Sequence, residues 1–328
     1  MARASRRTPG IRPTRSGKWE ARYYDDRGHL RGKTFTRKAD AEAFRSTARA
    51  DLRRGTWIDP AASATQFGTL ATGWLASRLN VRRSTFLTDE GCIRKHLLPR
   101  FGSVPVGRIA RSDVQRWVKE LSEAGVGPDT VRRCHRLLKT ILADAVEERM
   151  ISESPCRRIS LPRIVRREQL FLTAGEVERL AGAIDALYTP LIYTAAYLGC
   201  RWGELAGLKC ENLDLRRREI RIVGTLQDLG RDVRYVEETK TASSRRNISL
   251  PAFLAELLEK HLANAPASDF VFVRPDGTWL RRTGFRRAEW KPALAAAGLD
   301  PAIRFHDYAD LRVMPISPRM PWSGRQRA

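Results

Sequence analysis

Twenty residues, Asp129 to Glu148, constrain the fold more than any other stretch of this chain. Val131, Cys134, Leu138, Ile141, Leu142 and Ala145 recur every three or four positions, which places them on one apolar stripe of a helix. A stripe of that length is stable only under a cover of other apolar surfaces. Its neighbours supply them: Trp74-Leu75, Ile93-Leu97-Leu98 and Val114-Trp117-Val118-Leu121 mark further amphipathic helices. A helical domain is therefore expected over 67–155, with Arg132, Arg136 and Lys139 on the arc of the 129–148 helix that faces away from its core.

On either side the pattern changes. Residues 1–60 open with a basic arm, then Trp19 to Tyr24 alternates apolar and charged residues. Asp25-Asp26-Arg27-Gly28 reads as a turn and Leu30 to Phe35 as a returning strand. Ala39, Ala43, Phe44 and Leu52 then recur at helical spacing up to Gly55, giving a small sheet with one helix. Residues 61–66 read as a linker. A second, basic extended linker is expected over 156–170, where Arg157 and Arg158 follow Pro155 and Arg163, Arg166 and Arg167 follow Pro162. From 171 a third domain begins. Thr173 with Glu176 forms a capping box, and Pro190 opens another helix. Ile220 to Val223 is strand-like, and Val233–Glu237 is expected to return through a turn at 239–244 into a strand carrying Ile248 and Leu250. The fold class expected is mainly α with small β elements: a small β-sheet plus helix module, a helical domain and an α+β domain.

Charge narrows the function. Sixty Lys and Arg against 37 Asp and Glu leave a net +23, which on a chain with 42% hydrophobic residues points to a folded protein that binds a polyanion. Nucleic acid is the expected partner, because each phosphate neutralised releases condensed counterions. In that context the Arg132–Arg136–Lys139 arc is expected to meet a DNA groove. No membrane span is expected: the apolar, uncharged stretch Ala186 to Cys200 has 15 residues, short of the ~20 a spanning helix needs. The basic amino terminus has no apolar run behind it, so the chain reads as cytoplasmic. Five scattered cysteines form no C-x-x-C, and Cys134-His135 point about 100° apart on a helix, so neither a disulfide framework nor a metal site is expected. Gly28 to Thr34 falls short of a P-loop, with three residues rather than four between its glycines and a strand after it.

Three motifs remain: Gly199-Cys-Arg201-Trp-Gly203-Glu204-Leu205, Thr239-Lys240-Thr241-Ala-Ser-Ser244-Arg245-Arg246 and Phe305-His306-Asp307. In this order they resemble the tyrosine recombinases, the phage-type integrases, over almost the whole chain. The resemblance implies an arm-type DNA-binding module at 1–60, a core-binding domain at 67–155 and a catalytic domain at 171–328. It also implies double-stranded DNA attachment sites as substrate, a homotetrameric synapse, and a 3′-phosphotyrosyl intermediate made and resolved without ATP or metal, so no cofactor. Arg201 would clamp the pentavalent phosphate, Lys240 protonate the leaving 5′-oxygen, and His306 handle the nucleophile's proton or bind the phosphate. Glu204 would buttress Arg201, and Arg245 and Arg246 would meet DNA.

The pattern departs at two places. Family members continue H-x-x-R, whereas Ala309 stands where that arginine belongs; Arg312 is its replacement only if three residues are inserted. On a continuous helix those three residues move a side chain ~4.5 Å along the axis and ~300° around it. The second departure is the nucleophile, for no tyrosine follows Tyr308, and 313–328 holds three prolines and no acid. A truncated, DNA-binding chain that does not complete cleavage is expected. The alternatives are an active recombinase whose nucleophile is Tyr308, and a basic RNA-binding or structural protein.

Overall fold

The computed structural model describes residues 10–165, 172–230, 232–237 and 245–305. They fall into two compact units, divided after Val165.

The first unit begins with a three-stranded antiparallel sheet of β1 (Gly10–Pro13), β2 (Trp19–Tyr24) and β3 (Leu30–Phe35), in that order. Asp25 makes the β2–β3 turn: its carboxylate accepts the amides of Arg27 and His29, and Gly28 takes the positive φ of 80° that closes it. Gly32, Lys33 and Thr34 lie within β3, so the segment resembling a phosphate loop is strand. Helix α1 (Lys38–Arg54) covers the sheet, and Tyr23, Ala48 and Trp57 form a small core there.

The short α2 (Pro60–Ser63) leads into the helices α3 (Phe67–Ser77), α4 (Arg83–Cys92), α5 (Leu98–Phe101), α6 (Arg111–Glu123) and α7 (Pro128–Glu147). Pro128 in the first turn of α7, with Asp129 beside it, sets where that helix starts. Its stripe packs as the spacing predicts: Val131, Cys134, Leu138, Ile141, Leu142 and Ala145 are fully buried with Phe67, Leu97, Phe101 and Trp117. Residues that follow α7 belong to the same core, which takes in Cys156 and, at its edge, Ile159 and Leu161.

The second unit holds α8 (Ala174–Ala183), α9 (Thr189–Leu198) and α10 (Trp202–Ala206). Strands β4 (Leu213–Asp214), β5 (Glu219–Ile222), β6 (Thr225–Leu229), β7 (Asp232–Val236) and β8 (Arg246–Ser249) come next. Helices α11 (Ala252–Asn264), α12 (Arg282–Phe285) and α13 (Lys291–Ala296) complete it. Thr173 and Glu176 cap α8 reciprocally, as expected.

The strand pairing differs from the expected 233–250 hairpin. Strand β7 pairs with β6, Tyr235 opposite Leu226, and β8 pairs with β5, Ile248 opposite Ile220. The reason is local: Gly230, at φ 83° and with its amide held by Asp228, closes a tight turn directly between β6 and β7. That turn joins neighbours at lower loop-closure cost than the longer 239–244 connection.

Candidate nucleic-acid interface and phosphate clamp

Helix α10 is five residues long, and three separate parts of the second unit converge on it. It exists because Gly199 stops α9 in the left-handed conformation, φ 60°, and turns the chain so that Arg201 becomes the residue before the next helix. Glu204, one turn on, reaches back to accept the Arg201 amide at 2.9 Å and Nη1 of the Arg201 guanidinium at 3.0 Å. Arg246 of β8 closes the same carboxylate from the other side, with Nη2 at 2.9 Å and Nη1 at 3.3 Å. Glu204 is 6% exposed, Arg246 31% and Arg201 65%. Burial acts to raise the Glu204 pKa, but the hydrogen bonds from Arg246 and Arg201 outweigh it, so the carboxyl is held below its ordinary range. Glu204 is thus an anion that anchors one arginine fully and presents the other to solvent.

Strand β6 reaches α10 through two glycines. A Cβ on Gly203 would stand 2.3 Å from Thr225 Oγ1, and one on Gly207 would stand 2.6 Å from the Leu226 amide nitrogen. Only glycine permits that approach of strand to helix. The far end of the β6–β7 hairpin is tied by Arg281, which donates to Asp228 at 3.0 Å.

The third part comes from the end of the described chain. Phe305 packs edge-on against Trp202 with ring centroids 4.9 Å apart, and against Trp290 at 5.2 Å. Trp290 in turn donates its indole N–H to the Ile303 carbonyl at 3.1 Å. Lys240, His306 and Arg312 lie outside the described residues. Their described flanks do not: Val236 and Arg246 bracket Lys240, Phe305 precedes His306, and β6, Arg246 and Phe305 all meet α10 or the residues it carries.

In the first unit, Arg136 and Lys139 are exposed on α7, while Arg132 is half-buried and donates Nε to the Pro162 carbonyl at 2.8 Å. His135 is buried on the same helix; burial lowers its pKa, and nearby Lys139 adds to that. No group of three or more metal-ligating side chains occurs among the described residues. No described helix is long and apolar enough to cross a membrane. Arg245 is exposed, whereas Arg246, expected on DNA, has its guanidinium on Glu204.

The tyrosines are also accounted for. Tyr23 lies in the small core of the first sheet and Tyr24 ends β2. Tyr188 packs on Phe285, Tyr193 and Tyr197 on Phe253, and Tyr235 on Phe270. Tyr308 lies outside the described residues.

Sequence reasoning missed Trp202, Gly207, Asp228 and Arg281. Gly207 left a trace, since a glycine four residues after Gly203 on one helix face signals a close approach.

Comparison with known proteins bears on the same elements. The Phage integrase family pattern matches residues 170–312, the SAM-like amino-terminal domain of phage integrases 66–122, and the phage integrase N-terminal domain 10–54. The prophage phiRv2 integrase of Mycobacterium tuberculosis (strain H37Rv) is 30% identical over 320 residues, covering 93% of this chain and 83% of that protein. The integrase of Mycobacterium phage D29 is 26% identical, covering 94% and 85%. Among solved structures, the Tn1549 transposon integrase in complex with transposon right end DNA aligns with a TM-score of 0.66 at 20% identity, over 75% of this chain and 84% of that one. A lambda integrase dimer bound to a core site aligns with 0.60 at 15% identity, over 94% and 87%. Likeness at 30% identity over 93% of this chain, together with three family patterns in the family's order, leaves one conclusion: the chain belongs to the phage integrase family of tyrosine recombinases.

Proposed function

We propose that this chain is a phage-type integrase by architecture that binds double-stranded attachment sites in the cytoplasm, within a homotetrameric synapse and without metal or ATP, and that it does not by itself complete strand cleavage. In this reading residues 1–60 contact arm sites, 67–155 the core site, and the domain from 171 the scissile phosphate. The observation that carries it is Arg201, whose guanidinium is fixed through one nitrogen on buried Glu204 and is otherwise 65% exposed on the helix where the flanks of Lys240 and His306 converge.

A guanidinium held in that way offers fixed N–H donors to non-bridging oxygens as charge builds on them, and loss of one such donor costs of order 10²–10³ in rate. Lys240 is the general acid for the leaving 5′-oxygen, and His306 handles the nucleophile's proton or binds the phosphate. Arg312 is the candidate second clamp. Glu204 keeps Arg201 in place. Arg136, Lys139 and Arg245 face DNA, and Arg132 and Arg246 hold backbone and carboxylate beside them.

Salt titration tests the DNA reading. Binding to a mixed-sequence 30-bp DNA duplex should weaken steeply with salt, because log K falls by ~0.9 per phosphate contact per log unit. Arg136→Ala with Lys139→Ala should flatten that slope by about two units, one per lost contact. Arg12→Ala with Arg15→Ala should change binding to the same duplex much less. Equal losses from both pairs, or equal affinity for an RNA duplex of the same length, would instead favour a charge-only binder.

Cleavage is tested separately. These 328 residues should form no denaturation-resistant adduct on a nicked suicide duplex, since Tyr188, Tyr193, Tyr197 and Tyr235 are each packed against another aromatic ring. An adduct that Tyr308→Phe abolishes would overturn this and make Tyr308 the nucleophile.

A further inference from the structure

Residues 155–158 form a turn in which Arg158 takes a positive φ of 52°, residues 159–162 then run irregularly beside the helices, and three side chains hold the main chain of 157–162. Arg111, at the start of α6, donates Nε to the Arg157 carbonyl at 3.2 Å and Nη2 to the Arg158 carbonyl at 2.8 Å. Gln115, one turn further along α6, makes a two-way pair with Ser160: its Oε1 accepts the Ser160 amide at 2.9 Å and its Nε2 donates to the Ser160 carbonyl at 3.2 Å. Arg132 of α7 donates to the Pro162 carbonyl at 2.8 Å.

The pairing copies what a neighbouring strand would offer. A primary amide presents one donor and one acceptor in a plane, the same complement as a peptide group, so Gln115 matches Ser160 and fixes the register of the whole segment. Ile159 and Leu161 alternate inward onto the unit's core, while Arg157, Arg158 and Arg163 stay exposed. A one-residue slip would turn Ser160 and Pro162 inward in place of Ile159 and Leu161. The docked segment therefore displays three arginines, of which Arg157 also pairs with Glu153, from a main chain whose carbonyls at Arg157, Arg158, Ser160 and Pro162 are occupied.

We infer that residues 157–163 are a preordered strap of the DNA-contacting surface, that duplex DNA backbone is the partner of its arginines, and that Gln115 is the positioning residue that sets its register. This rests on the DNA-binding function proposed above. Gln115 carries no charge, which separates positioning from contact. Removing it leaves the number of phosphate contacts unchanged and adds the ordering of the strap to the cost of binding.

The test uses the full chain, the same mixed-sequence 30-bp duplex and a salt series, with the parent, Gln115→Ala, Ser160→Pro and the double variant. Ser160→Pro removes the same amide donor from the strap side and leaves α6 intact. Each single change should weaken binding about tenfold, the scale of one lost hydrogen-bonded pair, with the salt slope unchanged. The double change should weaken it no further than either single one, because both remove one shared interaction. Without DNA, trypsin should cut after Arg157 and Arg158 faster in both variants than in the parent. Parental affinity in Gln115→Ala, losses that multiply in the double variant, or a flattened salt slope would each overturn the strap. A parent that does not bind the duplex would overturn the DNA reading itself, whereas a binding parent with an unaffected Gln115→Ala would overturn this inference alone.

Discussion

Asp25 in the first sheet and Glu204 in the second unit are both buried carboxylates held by arginine, yet they do different work. Asp25 accepts two amides from its own turn, at 3.0 and 2.8 Å, and Nε of Arg31 at 2.9 Å. Arg31 then continues to Asp59 at 2.7 Å, so its charge is met on both sides. Burial acts to raise the Asp25 pKa, but the His29 amide and Arg31 outweigh it. Glu204 takes one amide and two arginines, one of them 42 residues away, and leaves Arg201 facing solvent. A carboxyl held below its ordinary range does not by itself mark a functional site. What separates the two is whether the arginine is satisfied or still has donors to offer.

Replacing each carboxylate tests the contrast, and the largest effect is expected at Glu204. Glu204→Ala should destabilise the second unit by about 3 kcal/mol in urea unfolding, because it removes the buried carboxylate that Arg246 and Arg201 share. A loss below about 1 kcal/mol, the scale of a surface pair, would break the comparison. Asp25→Ala should cost less, about 2 kcal/mol, since two turn amides and Arg31 can recruit water once the turn opens. Its effect should stay within the first unit; an equal shift of the second unit's transition would show that the two carboxylates are not independent.

The smallest effect is the response to acid. Both carboxyls titrate below their ordinary values of 3.8 and 4.5, so each adds stability that is complete above those values and is lost as pH falls through the lower folded-state value. Stability followed below about pH 4.5 should therefore decline less steeply in Glu204→Gln and Asp25→Asn than in the parent. An unchanged acid limb in Glu204→Gln would show that neutral glutamine meets the two arginines as well as the carboxylate does.

Much of this was legible without coordinates because it is local. The period of Val131 to Ala145, the Thr173–Glu176 cap, the Asp25–Gly28 turn and the Arg201–Glu204 spacing each depend on residues three to a few positions apart. Helix and turn geometry fix how such residues meet. The order of the three motifs likewise named the family before any contact was known. Lys240, His306 and Arg312 were identified the same way, and they lie outside the described residues.

Tertiary structure decided the rest, and in each case the deciding contact joins residues far apart in the chain. The spacing of Arg246 resembles that of a DNA contact, and only folding shows the carboxylate waiting 42 positions earlier. Strand β7 was expected to pair with the strand carrying Ile248, and closure through Gly230 pairs it with β6 instead. Residues 157–162 have the composition of a free basic linker, but Gln115, some 45 residues away, turns them into part of a packed unit. Sequence pattern specifies which face of an element is apolar and where it ends; it does not specify which distant group will meet a given guanidinium or amide, because that depends on how several packed elements exclude water together.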